Sequence, residues 1–93
     1  MTETTPAWPA ARFRKVPLEI TAAQWDGTHQ GFAALAGTDA FPGLAYRDGN
    51  LFVSTLEGEM RARPQDWIIR GVADEVYPCA DHVFAATYER VAP

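Results

Sequence analysis

The sequence predicts a small α+β domain built on a curved, mostly antiparallel sheet of about five strands, with one short helix after the first strand and a short C-terminal helix. Three observations predict it. Apolar and polar residues alternate from Arg12 to Trp25. Tight polar turns, Asp48-Gly49 foremost, then separate short β-type runs. Two brief stretches carry helical rather than strand spacing.

Residues 1–11 mix Thr, Pro and Ala without periodicity and predict a flexible leader ahead of a single domain over 12–93. The first strand is expected within Arg12–Trp25, with Pro17 near its start, where a missing N–H costs least. Asp26-Gly27 supplies turn chemistry, and Thr28 is placed to cap a helix of about two turns whose apolar stripe is Phe32, Leu35 and Ala36. Gly37 marks its end, and Gly31 inside it weakens it.

Leu44–Tyr46 and Leu51–Thr55 flank Arg47-Asp48-Gly49-Asn50, a hairpin signal. Glu57-Gly58-Glu59 predicts a second hairpin turn, and Pro64-Gln65-Asp66 a third turn that opens a strand over Trp67–Arg70. That strand is apolar on both faces, so a central position is expected and Trp67 is assigned to the core. On a regular strand Arg70 shares a face with Ile68 and must find water, a carboxylate or a ligand anion, of which Glu75 beyond the Gly71 turn is the expected partner. Val76-Tyr77 reads as a short strand stopped by Pro78, and Asp81 as the cap of a last helical turn with Phe84 and Tyr88 at i, i+4.

Composition removes several function classes. A formal charge of −4 argues against a nucleic-acid partner, because phosphate contacts need clustered cations. Seven of the eight basic residues are arginine, a bias that codon usage accounts for without a binding role. The lone cysteine, Cys79, excludes an internal disulfide and fits a reducing compartment. No apolar run reaches membrane-spanning length and no signal peptide opens the chain, so a cytoplasmic protein without a membrane partner is expected.

By residue and motif the chain resembles a family of small phage and prophage proteins. The resemblance rests on Arg14-Lys15-Val16-Pro17 with Glu19 and Ala23-Gln24-Trp25, then Thr55-Leu56-Glu57-Gly58. It continues through Pro64-Gln65-Asp66-Trp67-Ile68-Ile69-Arg70-Gly71, Tyr77-Pro78-Cys79, Asp81-His82-Val83-Phe84 and Thr87-Tyr88, covering about residues 12–90. Gln65 stands where the family usually has Gly, and Ala80-Asp81-His82 replaces Lys-Pro-Asp, with loss of a cation. The resemblance implies a phage-associated accessory role and assigns no catalytic residue.

The residues themselves offer little chemistry. Cys79 with His82 three positions on is the one nucleophile–base pattern, but a Cys following Pro at a strand end belongs to a type more often buried than reactive. Cys79, His82 and the distant His29 make no metal site, since Cys-x-x-His supplies half of one tetrahedron. The carboxylates Glu57, Glu59, Asp66, Asp74 and Glu75 sit in turns, where they bond backbone amides, as expected for Asp66 above all. No glycine-rich phosphate loop and no cofactor motif is present. Trp25, Trp67, Tyr77, Phe84 and Tyr88 exceed what a minimal core must hold, and aromatics beside Arg70 or Arg14 suit either a stacking pocket or a protein interface. The expected function is therefore a non-enzymatic binding module for a small ligand or a host or phage protein, with Trp25, Arg70, Tyr77, Cys79 and His82 as its candidate residues. A small hydrolase or transferase using Cys79 or turn carboxylates is the alternative.

Overall fold

The computed structural model describes residues 10–14 and 16–91; most of the expected leader lies outside the described residues. Its elements run β1 (Thr21–Gln24), α1 (His29–Ala36), β2 (Leu44–Arg47), β3 (Asn50–Thr55), β4 (Gly58–Ala62), β5 (Trp67–Arg70), β6 (Val76–Cys79) and α2 (Asp81–Thr87). The α+β class and both helices are as expected, but the sheet is not. Six strands form two three-stranded antiparallel sheets, β1-β5-β6 and β2-β3-β4.

The second sheet is the local one. Asp48 and Gly49 both take positive φ (51° and 78°), the pairing that matches a two-residue turn to the twist of flanking strands. The β2–β3 register, Arg47↔Asn50 to Leu44↔Val53, follows directly. The second turn closes β3 on β4 with Gly58 at φ 111°. One face of this sheet carries the buried Leu51, Val53 and Ala62. On the other face the Arg47 guanidinium lies 4.1 Å from the Phe52 ring centroid and is ion-paired with Glu59.

The first sheet is assembled from distant segments. β5 is its central strand, as the apolar pattern predicts, pairing Ala23↔Ile68 on one side and Ile68↔Pro78 on the other. The expected long first strand shrinks to Thr21–Gln24, because β5 offers only four residues to pair with. Before it, the Leu18 N–H bonds the Val16 carbonyl at 2.8 Å and turns the chain around Pro17. Pro78 does not stop β6, since β6 is an edge strand and one side of it needs no ladder donor.

The core lies between the sheets: Trp25, Phe41, Leu51, Val53, Ala62, Ile68 and Val76, flanked by Phe32 and Leu35 of α1. Its tryptophan is Trp25, 1% exposed, and Trp67 is corrected to a half-buried position. Trp67 shares the opposite face of β5 with Ile69, and there its ring stacks on Phe84 of α2 at 4.1 Å and 7°. That second covered face explains why β5 is apolar on both sides.

Local chemistry at the start of α1 holds Trp25 in place. Asp26 Oδ1 accepts from the Thr28 N–H (2.9 Å) and hydroxyl (2.7 Å), and Thr28 Oγ1 accepts from the Gly31 N–H at 2.9 Å as the expected cap. The Thr28 hydroxyl, then its amide, lowers the Asp26 pKa, so this brace weakens as acid protonates it. Gly31 now has a reason. A Cβ there would overlap Asp26 Oδ1 and lie 3.2 Å from Trp25 Cδ1. Gly31→Ala would normally stabilise a helix by about 1 kcal/mol. Here we expect a net loss of stability, and a rise in melting temperature would contradict the brace.

Gln65 takes φ 75°, a left-handed conformation in which glycine is unstrained. The neighbouring Asp66 carboxylate accepts from the Arg63 N–H at 2.9 Å, the turn role expected for it.

Candidate functional site

The face of the β1-β5-β6 sheet turned away from the core is roofed by α2 and bordered by the chain before β1. The N-cap of α2 is Ala80, which makes no side-chain cap bond, and Asp81 is the first helical residue rather than the cap. The Asp81 carboxylate instead accepts the indole N–H of Trp67 at 2.9 Å and so ties the helix to β5. Phe84 stacks on Trp67 and then on Tyr88 at 4.9 Å, as their i, i+4 spacing allows. The Tyr88 hydroxyl lies 3.4 Å from that of Tyr77 on β6. A continuous aromatic row therefore runs from β5 through α2 and back to β6.

Beyond the Tyr77–Tyr88 end of this row lies an open groove of about 410 Å³. One wall is the segment preceding β1, with Val16, Pro17, Leu18 and Ile20; the other is Thr87 and Tyr88 of the α2 end. Its floor is Tyr77 and the turn after β5, through Gly71, Val72 and Glu75. The turn is tight: the Gly71 N–H bonds the Glu75 carbonyl at 2.8 Å, and the Asp74 N–H bonds the Gly71 carbonyl at 3.1 Å. Gly71 is buried and a Cβ on it would overlap Glu75 Oε1, so the missing side chain lets the Glu75 carboxylate fold over the turn, where it also accepts the Ala73 N–H at 3.2 Å. Val16, Leu18 and Val72 are 67%, 58% and 63% exposed, an apolar rim facing solvent.

Burial, then the Tyr88 hydroxyl, raises the Tyr77 pKa above its ordinary value of 10.0, with the negative charges of Tyr88, Glu75 and Cys79 adding to the shift. For a phenol with a raised folded-state value, the stabilising contribution is present below the unfolded pKa and lost as pH rises beyond it. We expect stability to fall above about pH 10, where unfolded tyrosines ionise. Tyr77→Phe should flatten that fall in denaturant titrations, and an identical alkaline profile for both proteins would contradict the assignment.

The five residues singled out from the sequence do not converge. Trp25 is core; its indole N–H bonds the Thr28 carbonyl at 2.9 Å and its ring leaves no surface for a ligand. Arg70 does share a face with Ile68, but its partner is Asp74 rather than Glu75, at 3.1 Å, with a further bond of 3.3 Å to the Asp39 carbonyl. It fastens the loop before β2 to the end of β5. Cys79 is half-buried on β6 with Sγ 3.6 Å from the Ala80 carbonyl, and His82 is exposed in the first turn of α2. Only Tyr77 lines the groove. Val16, Leu18, Val72 and Tyr88 were missed as site residues; the exposure of three of them depends on a turn and a segment that meet only in the folded chain.

Among the described residues no group of three His, Cys, Asp or Glu side chains is gathered as for a metal ion, and no helix is long and apolar enough to cross a membrane. No protein-family model matches the chain, and comparisons with curated proteins and with solved structures return no match.

Proposed function

We propose that the chain is a non-enzymatic binding module whose site is the groove between the segment before β1 and α2, and that its ligand is a protein segment rather than a small anion. The observation that carries this is the groove's lining: aliphatic side chains, two tyrosines and the Glu75 carboxylate, with no Lys or Arg among the described residues. Arg70, the cation that a small anion would need, is engaged by Asp74 and the Asp39 carbonyl. An open apolar trough with one carboxylate at its floor suits an extended peptide with an apolar anchor next to a basic residue. An accessory role of the kind suggested by the resemblance to small phage proteins is compatible with such a module and is part of the proposal.

The test is selection of a random peptide library on the immobilised protein and on Val72→Arg, which places a cation in the groove mouth. The parent should enrich peptides with an apolar residue flanked by Lys or Arg, and the variant should enrich none of them. Absence of enrichment on the parent, or the same peptides on both proteins, would overturn the reading.

A further inference from the structure

The chain itself carries a segment of the chemistry this groove accepts. Arg12, Phe13 and Arg14 lie ahead of the groove wall; all three are exposed, Phe13 at 92%. With Lys15 they form a run of one aromatic among three cations and no acid. From Pro17 onward the balance reverses, with eleven acidic residues against five basic ones. The run is thus a cationic, apolar arm on an acidic body, and the groove is an exposed apolar feature of that body with a carboxylate in its floor.

Resting on the reading of the groove as a peptide site, we infer that its occupant is the arm of a second copy: Phe13 enters the groove beside Val72 and Tyr88, with Arg12 and Arg14 directed to the acidic turn of Asp74 and Glu75. The arm's own groove is not its seat. Phe13 is three residues from Val16, which forms the wall of that groove, and in the structure it points to solvent. A second copy related by a twofold axis has no such tether, and the exchange is reciprocal, each arm base serving as a wall for the other arm. Strand β1, which continues the arm, is an edge strand whose Thr21–Gln24 contains neither charge nor proline, the features that usually repel a neighbouring edge.

The test is sedimentation velocity of the full chain over a concentration series. It is run for the parent, for Phe13→Asp, which spoils the arm, and for Val72→Arg, which blocks the groove. Both substitutions replace exposed side chains, and thermal melts check that each variant is folded. The parent should dimerise, more weakly as salt screens the arm. Each variant alone should lose affinity by at least about tenfold. An equimolar mixture of the two variants should associate more than either alone, because one intact arm then meets one intact groove. A monomeric parent, a dimer that both variants leave unchanged, or a mixture no more associated than its components would each overturn the inference. A monomeric parent that still selects peptides at its groove would overturn the exchange alone and leave the groove reading standing.

Discussion

Trp25→Ala is expected to cost about 3–5 kcal/mol, the largest loss from any single substitution in this chain. The indole is 1% exposed and joins the parts that the local sequence does not bring together. Its amide donates to the Asp66 carbonyl at 2.9 Å and its carbonyl accepts from Gln65 at 2.8 Å, fixing the β1 end to the turn before β5. Its ring meets Tyr46 of β2 edge-on at 6.4 Å, and its Nε1 bonds the Thr28 carbonyl at the start of α1. Small domains have roughly 0.05–0.15 kcal/mol of net stability per residue, so the loss takes a large fraction of what this one has. Trp25→Phe keeps the ring contact and forfeits the indole bond, and should cost about 1–2 kcal/mol in urea titrations. A Trp25→Ala protein within about 1 kcal/mol of the parent would show that the core is centred elsewhere.

Phe84→Ala should have the next largest effect, about 2–3 kcal/mol, less than for a fully buried phenylalanine because this ring is half-exposed. Phe84 stands between Trp67 and Tyr88 and is the side chain by which α2 sits on the sheet. A seven-residue helix has little stability of its own, so loss of this contact should melt α2 and open the groove wall. The near-ultraviolet dichroism of Trp67 should collapse while the buried Trp25 keeps its signal. Unchanged stability together with an intact α2 would contradict the stacking row as the helix's anchor.

What could be read from the sequence follows how local each feature is. Asp48-Gly49 specifies its hairpin because both residues tolerate positive φ, and Thr28 specifies its helix start through a bond to an amide three residues away. β5 reads as central because its neighbours cover both faces. The division into two sheets was not legible, since Thr21 pairs with Arg70 across about half of the chain and nothing near either residue encodes that partner. The same distance hid the difference between two tryptophans that each adjoin a strand: Trp25 meets the core, while Trp67 meets a helix that begins one strand later. The groove was the least legible feature. Its walls come from the segment before β1, the turn after β5 and the end of α2, and its carboxylate is positioned by the missing side chain of Gly71.

The core that Trp25 organises and the groove occupy opposite faces of the same sheet. Ile68, Val76 and Ala23 face the core, while Ile69, Tyr77 and Cys79 face α2 and the groove side. Substitutions at Val72 or Phe13 can therefore change binding without loss of the core that Trp25 organises.

Peptide binding in the groove can be followed residue by residue in a two-dimensional amide NMR spectrum of the protein, titrated with a peptide from the library selection. The amides of Val16, Leu18, Gly71, Val72, Tyr77 and Tyr88 should shift together with one dissociation constant, while those of the β2-β3-β4 face around Phe52 and Arg61 stay in place. Shifts centred on Phe52 and Arg61, with the groove amides unmoved, would contradict binding in the groove.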